Sequence, residues 1–161
     1  MKNITLLFLL FITSLNFAKA QTDYCKEIIP KVDKELAMTS YDSPGTFLTI
    51  GKNRLDDGTF GPITLRFVGF DKTADYEAYG LYATFSDGTI WRDGGKHINC
   101  SYQGVDAGYR FGAVKIMDED MLLLFKTKKL VKVRIHNIEI PVDETYATRF
   151  ISYVNCIVDL K

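Results

Sequence analysis

The sequence predicts a mainly β fold, an antiparallel β-sandwich or barrel-like domain with a short helix near 118–126 and a C-terminal helix near 144–155. Short runs of alternating apolar and polar residues recur through the chain. Turn residues separate them at roughly 8–12 residue intervals, the spacing of sandwiches and barrels. Asp118 and Asp143 place the two helices, since each stands where an aspartate side chain can cap a first helical turn.

From the N-terminal side, Pro30 forbids one continuous helix over Asp23–Met38, so a short turn and then an edge strand ending near Tyr41 are expected. Residues 46–52 and 62–70 read as strands, with Ile63, Leu65 and Phe67 facing one way and Leu55-Asp56-Asp57-Gly58 as turn chemistry between them. Tyr79, Leu81, Ala83 and Phe85 alternate with Gly80, Tyr82, Thr84 and Ser86. Asp87-Gly88 then predicts a hairpin into Thr89–Arg92 through a type I′ turn, which needs positive φ at both central residues. Asp93-Gly94-Gly95 is expected to break the chain there, and Lys96–Gln103 to alternate anew with Ile98, Cys100 and Tyr102 on one side.

After a glycine-containing loop, Tyr109–Ile116 resumes as strand. Glu119–Lys126 follows as a helix whose early acids suit the positive end of its dipole. Val131, Val133 and Ile135 alternate with Lys132, Arg134 and His136; the phase then flips to Ile138, Ile140 and Val142. A one-residue shift exchanges strand faces, so a bulge or tight corner is expected at His136-Asn137. In the last segment Tyr146, Phe150, Val154 and Ile157 recur at helical spacing.

Composition narrows the class. The chain has 161 residues, 20 Lys+Arg against 20 Asp+Glu, and 47% hydrophobic residues, so it suits one globular domain and not a disordered tail. No basic excess points to nucleic acid. Lys2 and Asn3 precede the apolar run Ile4–Ile12, and Ala18-Lys19-Ala20 stands before Gln21, the pattern of a secretory signal peptide. Residues 1–20 are therefore expected to be cleaved at Ala20/Gln21, leaving a single β-rich domain at 21–161 that is periplasmic or secreted. The apolar run is shorter than the ~20 residues that span a bilayer. Thr22-Asp23-Tyr24 separates Cys25 from the small residues, so neither a membrane span nor a lipid anchor is expected.

Export permits a disulfide. Cys25 and Cys156 lie near the two ends of the exported chain, and domain termini often lie close together, so Cys25–Cys156 is the preferred pairing. Pairings through Cys100 stay open.

Catalytic and metal motifs are not found. No serine occupies a G-x-S-x-G elbow, and the two histidines have no ligand spacing for zinc. Leu55 spoils a calcium loop around Asn53 and Asp57. No metal site, cofactor or catalytic residue is assigned. Aromatic residues are the distinctive resource: Tyr82, Trp91 and Tyr102, with Tyr109, Arg92 and Arg110, form the candidate binding surface, suited to stacking a sugar or docking a protein.

The hairpin Gly80-Leu81-Tyr82-Ala83-Thr84-Phe85-Ser86-Asp87-Gly88, the strand ending at Ile116, the acid-capped helix, the basic strand and the Cys156-bearing helix form an ordered set. Over residues 79–157 this order resembles small exported bacterial β-sandwich proteins of unknown function. The resemblance implies the fold and transfers no catalytic residue. The first functional reading is an exported, non-catalytic binding or scaffolding domain whose partner is a protein or a carbohydrate. A second is a periplasmic inhibitor or immunity-type protein that blocks a wall-lytic or toxin enzyme with a protruding loop at Gly104–Arg110. A third is a small secreted hydrolase whose carboxylates meet only in the fold.

Overall fold

The computed structural model describes residues 23–161; the signal-peptide reading of residues 1–20 lies outside them. A 3-10 turn at Tyr24–Glu27 leads into β1 (Pro30–Asp33), β2 (Met38–Asp42), β3 (Leu48–Leu55) and β4 (Thr64–Asp71). Next come β5 (Tyr79–Phe85), β6 (Ile90–His97), β7 (Asn99–Gly104) and β8 (Gly108–Ile116). Helix α1 (Glu119–Thr127), β9 (Leu130–Ile135), β10 (Ile138–Pro141) and helix α2 (Glu144–Asp159) complete the chain. The larger sheet runs β1-β2-β3-β4-β8-β7 and the smaller β10-β9-β5-β6, and every pairing is antiparallel.

Alternation decides which residues fill the core. Leu48, Ile50, Leu65, Phe67, Phe111 and Ala113 of the larger sheet are buried, as are Leu81, Ala83, Phe85, Val133 and Ile135 of the smaller. Burying a large apolar side chain stabilises by roughly 1.5–3 kcal/mol before chain entropy is subtracted. Gly69 lets the sheets approach, because a Cβ there would lie 2.7 Å from Ile135 Cγ2. Lys115 and Asp93 add a polar tie at 2.8 Å between β8 and β6. Helix α2 contacts β3 of one sheet and β9 of the other. Its apolar stripe buries Ala147, Phe150, Tyr153, Val154 and Ile157, while α1 buries Met121 and Phe125. Phe125 joins the layers, meeting Phe85 edge-on at 5.2 Å, Trp91 at 6.3 Å and Phe150 at 6.2 Å.

Both aspartate caps form: Asp118 accepts from the Met121 N–H at 2.8 Å and Asp143 from the Tyr146 N–H at 2.9 Å. The last helix extends past the expected end near 155 to Asp159. Cys25 and Cys156 are bonded, joining the first turn to α2, and Cys100 is a half-buried free thiol.

Several local expectations are corrected. The region before Tyr41 forms two strands, because Asp33 accepts from the N–H groups of Glu35 and Leu36 and turns the chain into β2. Gly94 and Gly95 do not end β6, an edge strand where missing side chains cost little packing. The alternating run 96–103 is instead divided at buried Ile98, whose N–H bonds the Ala78 carbonyl where the chain crosses from one sheet to the other. Tyr79 leaves the face of Leu81, because Gly80 has φ +99° and the register shifts between Tyr79 and Leu81.

The Asp87-Gly88 turn also differs from type I′. Only Gly88 of the two has positive φ, at +83°. Phe85 N–H meets the Thr89 carbonyl and Gly88 N–H meets the Phe85 carbonyl, closing a three-residue loop on a left-handed glycine. Leu55–Thr59 repeats this geometry, with Gly58 at φ +87°. In both turns the aspartate accepts the N–H of the threonine two residues on. The phase flip at His136-Asn137 is the two-residue turn of the β9–β10 hairpin, with His136 at φ +55°.

Candidate functional site

The most chemically varied surface lies where β4 ends and β8 begins, at the pair Asp71 and Tyr109. Aspartates shape the loop that leaves β4. Asp71 Oδ1 accepts the Thr73 N–H at 2.9 Å, and Asp75 Oδ1 accepts the Glu77 N–H at 2.9 Å. Lys72 Nζ donates to the Asp106 carbonyl, fastening the β7–β8 turn to this loop. From the smaller sheet, His136 places Nε2 2.8 Å from Asp75 Oδ2 and Nδ1 3.4 Å from the Tyr79 carbonyl. Its ring stacks on Phe111 with centroids 6.4 Å apart.

These elements border a half-open cavity of about 220 Å³ lined by Asp71, Thr73, Ala74, Asp75, Phe111 and Asn137. Beside it runs a file of tyrosines. Tyr76 meets Tyr109 edge-on at 6.4 Å, and Tyr109 meets Tyr102 at 5.3 Å. Tyr76 is 65% and Tyr102 57% exposed, so two rings offer apolar surface to solvent although apolar neighbours are close. Asp71 Oδ2 and the Asn137 side chain have no hydrogen-bond partner among the described residues. The arrangement can therefore stack a flat apolar face and bond polar groups at its edge.

The structure divides the six aromatic and arginine residues singled out in the sequence. Tyr102 and Tyr109 come together at this groove. Trp91 points inward, stacked on Phe67 at 6.2 Å, because its cross-strand partner is core-facing Ala83. Tyr82 and Arg92 face outward on the smaller sheet, where the Arg134 guanidinium lies 3.7 Å over the Tyr82 ring. Arg110 occupies the opposite face of its strand from Tyr109. Tyr76, Asp71, Asp75, His136 and Asn137 also face the groove, and no motif marks them as site residues. An aromatic flanked by acids at Asp75-Tyr76-Glu77 is the one sequence signal for them.

Gly104–Arg110 forms a tight turn into β8 whose Val105 is 87% exposed. Among the described residues no group of three or more His, Cys, Asp or Glu could hold a metal ion, and no helix is long and apolar enough to cross a membrane. Compared with protein families, curated proteins and solved structures, the chain matches none.

Proposed function

We propose that this chain is an exported, non-catalytic binding domain that holds a carbohydrate in the tyrosine groove. The observation that carries this reading is the Tyr76–Tyr109–Tyr102 file beside a polar cavity. A sugar ring has one apolar C–H face and a rim of hydroxyls, and the groove offers both complements. The half-exposed rings would stack the C–H face. Asp71 Oδ2 and Asn137 would accept or donate to the hydroxyls. Export rests on the leader pattern of residues 1–20 and agrees with the Cys25–Cys156 disulfide, a bond that persists in oxidising compartments.

Calorimetric titration with N-acetylhexosamine and glucose oligomers tests the reading. Saturable binding is expected, weakened about three- to tenfold by either Tyr76→Ala or Tyr102→Ala, the range for one aromatic contact. Both rings are exposed, so the variants should melt like the parent. Failure of every oligosaccharide to bind overturns the carbohydrate reading, and release of shortened products overturns the non-catalytic one.

A further inference from the structure

The outward face of the β4–β8 strand pair carries a second concavity, of about 270 Å³, whose walls include Thr46, Thr49, Arg66, Val68, Phe70 and Arg110. Cross-strand register puts the strand residues among them on one face, with Thr49 opposite Arg66, Val68 opposite Gly112, and Phe70 opposite Arg110. Arg110 does not extend into solvent away from the sheet. Its guanidinium folds over Gly112, where a Cβ would lie 3.1 Å from Nη1 and 3.4 Å from Cζ. Gly112 is two residues nearer than Arg110 to the strand position of Arg66, so the Arg110 head is directed along the face toward Arg66.

Among the described residues, neither guanidinium has a carboxylate partner. Every ion pair among the described residues uses a lysine or His136, and no acidic residue lines this cavity. Asp42 shares the face but lies over Gly51, one strand beyond β3, and pairs with neither arginine. Two cations on one concave wall raise the local positive potential, and their planar forks match an oxyanion bidentately. Beside the two threonines the wall carries apolar groups: Val68 is half-buried and Phe70 is 54% exposed. Val114 and Ile116 continue this apolar strip along β8.

We infer that this concavity binds a small organic oxyanion, with a carboxylate or phosphate between Arg66 and Arg110 and a flat apolar body on Val68 and Phe70. The site is separate from the tyrosine groove, which lies on the other face of the same strands. Its ligand is defined by both parts, so acetate and inorganic phosphate, which lack the apolar body, are poor occupants.

Titration of the purified protein with benzoate, phenyl phosphate, acetate and inorganic phosphate tests the assignment, and the first two probes distinguish a carboxylate from a phosphate head. At least one aromatic probe should bind saturably and at least tenfold more tightly than its small counterpart, with affinity falling as salt is raised. Arg66→Gln and Arg110→Gln should each weaken binding about tenfold or more, as expected for losing a charge-assisted bond. Arg66→Lys should fall between, keeping the charge without the fork. Lys34→Gln, on the exposed β1–β2 turn, removes the same charge elsewhere and should bind like the parent. Melting curves show whether each variant is folded, and Tyr76→Ala should leave this affinity unchanged whatever it does to sugar binding. No saturable binding by any probe overturns the assignment, as does full affinity in the two glutamine variants.

Discussion

Removing the Cys25–Cys156 bond should be the most costly change to this fold that leaves its core side chains in place. The bond closes a separation of 131 residues. In the chain-entropy description, a loop that long restricts the unfolded chain by about 5 kcal/mol. The folded state should lose little beyond the bond itself. Tyr24 meets Tyr153 edge-on at 6.2 Å, Arg149 lies 5.6 Å over Tyr24, and the Tyr153 hydroxyl donates to Glu27. These contacts keep the first turn on α2 when Cys25→Ala/Cys156→Ala removes both sulfurs. The expected loss is about 3–5 kcal/mol, a large part of the roughly 5–15 kcal/mol that stabilises an ordinary domain. Trp91, the only tryptophan and stacked on core Phe67, reports global unfolding in urea by fluorescence. The midpoint should fall and the slope rise, because the uncrosslinked unfolded chain exposes more surface. Substituting both cysteines avoids new pairings with Cys100. A loss below about 1 kcal/mol by Trp91 fluorescence would refute the argument, since it would mean that the bond only pins a turn that frays by itself.

Three other outcomes follow from single contacts. Phe125→Ala empties the junction of Phe85, Trp91 and Phe150, and urea titration should show a loss of about 3–5 kcal/mol; a loss under 1 kcal/mol would deny the junction its role. Gly88→Ala and Gly58→Ala each force a left-handed alanine into equivalent turns and should each cost about 1–2 kcal/mol by the same titration. Unequal costs would break the equivalence. Burial, then the hydrogen bond to Glu27, pushes Tyr153 up to about 12, and burial also raises Tyr146. Unfolded tyrosine ionises near ~10, so this stability is complete below that pH and is lost as pH rises through the folded value. Urea midpoints should therefore decline above pH ~10, and Tyr153→Phe should flatten the decline; an identical alkaline limb in the variant would count against the shift.

What was legible in the sequence was local. The aspartate caps at 118 and 143 act within three residues, and each of the Leu65, Ala83 and Val133 faces follows from alternation within one strand. Local pattern misleads where a distant partner decides. Gly94-Gly95 reads as a break until β6 is known to be an edge strand, and run 96–103 reads as one strand until Ile98 is seen to be the crossing between sheets. Trp91 looks available for binding until its pairing with Ala83 fixes it inward. The groove has the same limit. Tyr102 and Tyr109 are hairpin neighbours and were visible together, whereas His136 reaches Asp75 only because the β9–β10 turn packs against the end of β4.

The two candidate sites share their scaffold for a simple geometric reason. Consecutive strand residues point to opposite faces, so Asp71 and Tyr109 serve the groove while Phe70 and Arg110, one position away on each strand, serve the outward concavity. Strands β4 and β8 are joined through eight aligned residue pairs near the middle of the larger sheet, which fixes both faces together. A one-residue slip of β8 would bring Arg110 to the groove and Tyr109 to the outer face, destroying both sites at once. Side-chain substitutions act differently, because the sheet lies between the two ligands and they share backbone but no side chain. Arginine changes should therefore leave sugar affinity unchanged, and tyrosine changes should leave oxyanion affinity unchanged, whereas a register error cannot affect one site alone.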